Sequence, residues 1–415
     1  MESIKLFFQQ KFMPAITKLG NMKYLIALRD GMVVTVPFTI FGSIFMIIGN
    51  LPFNGWYDFI APISPYIQVP INVTFGLLGL IVCLSLAYQM SKLNEIDIIT
   101  GIAITVICYI IAMLGQDFKI DPSTYGSGGI FTAIVVAIIT SEIMHFIIKR
   151  NIVIKMPDGV PPAVATSFAA LIPGGCALLL FWVLRVLLGL DINQLITSLF
   201  SPLVVGLSTC PGMLFMTFLT LLLWVFGIHG NNVVSGIASP IYLTFLTANI
   251  NAVSQGVTPP YITAEGFLLF GMNIGGTGAI LGIAIAMLTA KSQRYKAVGK
   301  VGIVPSIFGI SEPIMFGFPI VLNPILAIPF ITVPLVLQGV TYYLMKFNII
   351  GRVIAQVPWT TPPVIGGFLI TGGDWRAALW QFIELVIAVL VYLPFFKIAD
   401  RNALAEEGQS LEEAK

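Results

Sequence analysis

Clear apolar runs fall at 32–48, 71–90, 98–115, 129–148, 168–190, 267–289, 321–345 and 376–397. Each is close to the roughly 20 residues that carry an α-helix across about 30 Å of hydrocarbon. The shorter ones span with help from flanking residues or local thinning of the bilayer. Two weaker stretches, 213–228 and 233–250, are interrupted by glycine and polar residues. The pattern predicts an all-α integral membrane protein.

Basic residues give these runs a direction. Lys5, Lys11, Lys18, Lys23 and Arg29 crowd the N-terminus. Lys149, Arg150 and Lys155 form a second cluster, and Lys291, Arg294, Lys296 and Lys300 a third. Lys397 and Arg401 close the apolar part of the chain. Such clusters flank spans on the cytoplasmic side. With the N-terminus inside, the first five spans put 149–155 inside and 191 outside. The run 267–289 must end inside, so 200–262 leaves the outer side and returns to it. Its two weaker stretches supply those two crossings. The expectation is about 10 transmembrane helices with both termini cytoplasmic.

Composition excludes a soluble alternative. The 415 residues are 57% hydrophobic and 10% charged, with mean hydropathy +0.95. A soluble domain carries about 25% charged residues, and one this apolar would expose large apolar patches. Cys83, Cys108, Cys176 and Cys210 lie in or beside apolar runs with no CxxC pair. They read as small packing residues rather than disulfides or metal ligands. The first 30 residues do not fit a signal peptide, since their basic stretch is long, holds Asp and Glu and has no small-residue cleavage site. Residues 1–28 are expected to form an amphipathic cytoplasmic or interfacial helix. Residues 29–200 and 201–400 form N- and C-terminal membrane domains, and 401–415 a cytoplasmic tail.

Three stretches are too broken for plain helices. They are Gly227-Ile228-His229-Gly230-Asn231-Asn232, Gly309-Ile310-Ser311-Glu312-Pro313, and Val357-Pro358-Trp359-Thr360-Thr361-Pro362-Pro363 with Gly366-Gly367 after it. Non-helical backbone at membrane depth survives only where protein buries it or it lines a watery cavity. Broken helices and re-entrant segments mark substrate sites in transporters. All three lie in the second half, which points to a first half for scaffold or assembly and a second half for substrate.

Glu312 stands in an apolar context, with the flanking charges at Lys300 and Lys346. A carboxylate at membrane depth costs about 3 kcal/mol on insertion scales and is functional by default. The competing reading is a surface or helix-capping Glu after Ser311. Pro313 lacks a backbone donor, so the chain breaks here and the carboxylate can face a cavity. His229 offers an imidazole beside the Asn231 and Asn232 carboxamides and the free backbone of Gly230, a cluster suited to a polyhydroxylated ligand. A histidine satisfied by a carbonyl at a helix end is the bland alternative. His145 follows Glu142 on one helical face and reads as its interfacial ion partner. Trp359 with Thr360 and Thr361 suits a sugar ring and its hydroxyls, although Trp is equally common in the interfacial aromatic belt. Asn273, in a glycine-rich run, fits a ligand contact or a bridge between close-packed helices.

No P-loop or Rossmann glycine pattern is present, and no acidic pair is spaced for a metal. No span carries the several charged residues of a proton relay. No cofactor, metal or nucleic-acid partner is expected.

At these residues the chain resembles a known family. Lys155-Met156-Pro157-Asp158-Gly159-Val160-Pro161-Pro162-Ala163-Val164, followed by Phe168 through Pro173, is similar to the cytoplasmic-loop signature of bacterial phosphotransferase-system enzyme IIC, of the lactose, cellobiose and diacetylchitobiose type. Phe226-Gly227-Ile228-His229-Gly230, Gly309 through Pro313 and Pro358 through Pro362 match the same family in the same order. The resemblance implies a homodimer of ten-helix subunits in the lipid bilayer of a bacterial cell membrane. The first half would form the dimer interface, and the second half the sugar site with two re-entrant hairpins. It implies import of a disaccharide that is released inside as its 6-phosphate. The phosphoryl donor would be a phosphocysteine on a separate IIB chain, since no IIB or IIA domain is expected after Arg401. Glu312 and His229 match the family's active-site pair. Asn231, Asn232, Asn273, Trp359, Thr360 and Gly230 are the remaining candidates for sugar contact. A secondary sugar transporter without phosphorylation, and a transferase acting on lipid-linked sugar, are the competing readings.

Overall fold

A computed structural model describes residues 21–51, 55–157, 159–318, 320–321 and 323–413. Among these residues the secondary structure is helical, with no strand. Among the described residues, five helices are long and apolar enough to cross a membrane, or up to seven if each of two bent pairs is one span. Two shorter apolar helices, Ile98–Ala112 and Cys210–Val225, add to these. Most of the expected N-terminal helix lies on residues outside the described ones; the first helix among the described residues starts at Lys23.

The chain divides into two compact units. One comprises residues up to Gly42, Tyr66–Val205 and Ser235–Thr247; the other comprises Ser43–Pro65, Gly206–Val234 and Ala248–Lys415.

The first unit contains α1 (Lys23–Val33), the start of α2 (Val36–Gly49), α3 (Ser64–Gly76), α4 (Leu78–Leu93), α5 (Ile98–Ala112) and α6 (Ile130–Lys149). It continues with α7 (Leu171–Trp182), ending in a π turn, and α8 (Ile192–Leu207). Helix α4 packs against α1, α5 and α6. Small residues set close contacts here: a Cβ on Gly31 of α1 would meet Leu86 of α4, one on Gly101 of α5 would meet Ser91 of α4, and one on Gly174 of α7 would meet Ile104 of α5. Close backbone approach of this kind replaces the hydrophobic drive that lipid removes. Helix α5 starts on Asp97, whose carboxylate accepts from Thr100 N at 2.9 Å, an N-cap that satisfies an orphan donor. The strand of chain from Ile98 thus turns helical where its apolar run begins.

Two features of this unit depart from expectation. Glu142 pairs with Lys23 Nζ at 2.7 Å and accepts from Asn94 Nδ2 at 3.1 Å. His145 instead places Nδ1 2.9 Å from Asn94 O. A lysine from α1 therefore joins His145 as a charged partner of Glu142, brought there by packing that sequence spacing does not encode. The second departure is α8, which no clear apolar run announces. It follows α7 across a 93° bend at Gly189, whose φ is +64°. Buried Arg185 secures the α7 end, donating to Leu114 O at 2.7 Å and Gly115 O at 2.7 Å.

The second unit holds α9 (Cys210–Val225), the ends of α10 (Gly230–Ser254), α11 (Ile280–Met287), α12 (Gln293–Ile307), α13 (Glu312–Gly317), α14 (Pro324–Lys346), α15 (Ile365–Ile370) and α16 (Trp375–Glu413). Its core joins Trp224, Met272, Ile283, Ile314, Met315, Phe318, Phe330, Tyr392 and Phe396. The expected tail continues α16 as helix to Glu413.

The run 267–289 is not one helix, contrary to expectation. A short 3-10 turn at Phe267–Leu269 leads into irregular chain, and α helix resumes only at Ile280. Gly271, Gly275, Gly276 and Gly278 all have positive φ, which ends any helical ladder. The freed groups find side chains instead: Leu269 O accepts from Gln381 Nε2 at 2.8 Å, and Gly278 O from Tyr392 Oη at 2.5 Å.

Two hairpins follow. In the first, α12 and α13 pack together, Ile314 lying where Gly302 has no side chain and Val298 against Gly317. In the second, irregular residues 352–358 lead through Thr360 to α15, and the Ile354 and Ala355 amides donate to Ile370 O at 2.8 and 3.2 Å. Asp374 closes this hairpin by accepting from Gly351 N at 2.7 Å. Burial pushes its carboxyl up, but the Arg376 guanidinium and the Gly351 amide outweigh this and hold it below the usual carboxylate range.

Candidate functional site

The second unit encloses a cavity of about 370 Å³, within the size range of small-molecule sites. Three irregular stretches and a turn meet around it. The α9–α10 turn contributes Trp224, His229, Asn231 and Asn232. The broken run contributes Asn273, Gly276 and Thr277; the first hairpin's bend contributes Gly309, Ser311 and Glu312; the second hairpin contributes Trp359.

Each wall has a local cause. Gly227, at φ +80°, ends α9, and His229 then caps α10. Its Nδ1 accepts from Asn232 N at 3.3 Å, so the ring carries its proton on Nε2 when neutral and can donate from there. The imidazole lies 4.4 Å from the Trp224 ring, tilted by 47°. Trp224 Nε1 donates to Asn231 Oδ1 at 2.7 Å, and Thr277 Oγ1 reaches the same oxygen at 3.1 Å. Indole can only donate, which identifies that atom as the amide oxygen. The Asn231 NH2 group is left as a donor.

At the first hairpin, Gly309 has φ +78°, and a Cβ there would lie 2.8 Å from Trp359 O. A Cβ on Gly276 would lie 2.7 Å from the Ser311 Cβ. Glycine alone therefore lets the broken run and both hairpins come this close. Pro313 follows Glu312 at the start of α13. The missing proline N–H costs nothing at a helix start, and Glu312 is presented at the cavity, half-buried.

Of the eight sequence candidates, Glu312, His229, Asn231, Asn232, Asn273 and Trp359 line the cavity. Trp359 remains 62% exposed. Gly230 and Thr360 are not brought to it. Gly230 is buried against the Thr220 backbone, where any Cβ would collide, so its role is close packing of α10 on α9. Thr360 packs its Cα near Gly309. Trp224, Gly276 and Thr277 are lining residues that the sequence did not single out; Gly309 and Ser311 stand in one of its three broken stretches, without a site role of their own there. Trp224 had a usable signal, standing five residues before His229; Thr277 had none. Among the described residues, no group of three or more His, Cys, Asp or Glu side chains is placed to hold a metal.

The arrangement is a polar pocket in an apolar unit, with one carboxylate, one imidazole, three carboxamides and two indoles. Such a set can hydrogen-bond several hydroxyls, stack a sugar ring and take a proton from one hydroxyl.

Comparison with known proteins agrees in kind. A family model described as Phosphotransferase system, EIIC, matches residues 29–334. The lichenan permease IIC component of Bacillus subtilis (strain 168) is 36% identical, over 98% of this chain and 96% of its own. The PTS system cellobiose-specific EIIC component of Geobacillus stearothermophilus is also 36% identical, over 96% of this chain and 95% of its own. The crystal structure of the transporter ChbC, the IIC component from the N,N'-diacetylchitobiose-specific phosphotransferase system, superposes with a TM-score of 0.92 at 35% identity, covering 97% of this chain and 99% of that one.

Proposed function

The chain belongs to the EIIC family of the phosphotransferase system, and on that premise we propose that it carries a β-linked disaccharide inward and delivers it phosphorylated on a primary hydroxyl. Relatives are named for lichenan, cellobiose and N,N'-diacetylchitobiose, which supports the substrate class. The observation that carries the reading is the convergence of Glu312, His229, Asn231 and Asn273 on one cavity. The phosphoryl donor is a phosphocysteine on a IIB protein. The chain works as a homodimer in the bacterial cell membrane, both termini cytoplasmic, its first half forming the dimer contact and its second half the sugar site.

The chemistry follows from the lining groups. The sugar's primary hydroxyl oxygen attacks phosphorus, its proton passes to the Glu312 carboxylate, and the phosphorus–sulfur bond breaks to release the cysteine thiolate of IIB. His229 donates from Nε2 to the attacking hydroxyl or a phosphoryl oxygen. Asn231 donates its NH2 to a sugar oxygen. Transfer of this kind depends mainly on position and charge stabilisation. The product is anionic and does not recross the apolar path.

The test uses purified protein, phosphorylated IIB and labelled cellobiose, diacetylchitobiose or lactose. E312Q should lower the rate of sugar-phosphate formation by about a hundredfold or more, the usual contribution of a positioned base, with sugar binding within a few-fold of the unmodified chain. Unchanged turnover in E312Q removes Glu312 from the proton step.

A further inference from the structure

Asn273, Gly276 and Thr277 reach the cavity from a stretch with no helical ladder of its own. Three successive polar groups at its start are held by side chains from two spanning helices. Leu269 O accepts from Gln381 Nε2 at 2.8 Å, and Phe270 O from Gln338 Nε2 at 3.4 Å. The Gly271 N–H donates to Glu384 Oε2 at 3.2 Å. Gly271 is pressed so close to α14 that a Cβ would lie 2.8 Å from Gln338 N.

Glu384 is fully buried in the most apolar of the spanning helices, and it does not line the cavity. Its second oxygen accepts from Thr341 Oγ1 at 2.7 Å. Thr341 Oγ1 accepts in turn from Trp380 Nε1 at 2.8 Å. A carboxyl at this depth is expensive, and a leucine would fill the same space without that cost. What Glu384 supplies and leucine cannot is a buried acceptor for the Gly271 amide, two residues before Asn273. An amide left unpaired there would be free to turn, and Asn273 with it.

We propose that Glu384 is a positioning residue of the sugar site: through the Gly271 amide it fixes the loop that presents Asn273, Gly276 and Thr277 to the ligand. It acts through that loop and touches neither sugar nor phosphoryl group. The proposal rests on the cavity being the sugar site.

The experiment measures equilibrium binding of labelled cellobiose, diacetylchitobiose and lactose to the purified full chain, with no IIB present. E384L keeps the volume and removes both accepted bonds; affinity should fall roughly tenfold, the scale of one lost buried hydrogen bond. E384Q keeps an acceptor for Gly271 and should bind within about threefold of the unmodified chain. In a double-mutant cycle, E384L should add little to Asn273→Ala, because both act on the same sugar contact. A merely structural role would give neither the rescue nor the non-additivity. Unchanged affinity in E384L, full additivity with Asn273→Ala, or a tenfold loss in E384Q overturns the proposal. The E384Q arm stands by itself if E384L does not reach the membrane. A chain that binds none of the three sugars overturns the sugar-site reading as well, which separates the two failures.

Discussion

Asn231 is held from two sides, by the Trp224 indole at 2.7 Å and the Thr277 hydroxyl at 3.1 Å, both on its oxygen. Its orientation is therefore settled before any ligand arrives, and its NH2 group is the part that meets a sugar. N231D keeps both accepted bonds and removes that donor. Sugar affinity should fall about tenfold, on the scale of one hydrogen bond left unmade in a site built for it, measured by equilibrium binding; unchanged binding would mean that the amide nitrogen makes no contact. At this scale the sequence was informative where polarity contrasts with its surroundings. Glu312, His229 and the Asn231-Asn232 pair stand out in apolar stretches, and all four reach the cavity. Thr277 and Ser311 do not stand out, since hydroxyls are common inside spans, where they bond their own helix. Glu384 lies inside the run 376–397, whose other residues hide it. Only its neighbours Thr341 and Gly271, distant in sequence by 43 and 113 residues, give it a role.

Helices and hairpins set where those residues stand. The first hairpin bends at Gly309, in the left-handed region and against Trp359 O. Gly309→Ala should cost about 1 kcal/mol in backbone strain alone and displace the bend that carries Ser311 and Glu312. Phosphoryl transfer should fall by roughly tenfold or more while the purified protein keeps its helical circular dichroism; wild-type turnover would show that the bend tolerates a side chain. Hydropathy located most spans, because burying a run of apolar residues in lipid needs no partner. It failed at 267–289, where the same composition covers four glycines in positive φ. Mean apolarity cannot distinguish a helix from a loop whose polar backbone is held by Gln338, Gln381, Glu384 and Tyr392. The 3-10 turn at Phe267–Leu269, the π turn after α7 and the 93° bend into α8 are likewise set by packing rather than by local pattern.

At the scale of the whole chain, composition decided the class. A sequence with 10% charged residues has no soluble solution, and helices are the solution that lipid allows beside closed barrels. The helices that pass for spans by length and apolarity agree with that class, and the count of ten with cytoplasmic termini remains a proposal from charge and parity. The function proposed at this scale couples movement to chemistry. A pocket with a single lining carboxylate and no relay of charges in its walls suits a sugar that is changed on arrival rather than one driven by a proton gradient. The most direct measurement loads labelled disaccharide into inverted vesicles containing the chain and supplies phosphorylated IIB outside. Group translocation predicts that label leaves only when phosphorylated IIB is present and emerges as sugar phosphate. Release of free sugar at the same rate without phosphorylated IIB would contradict it.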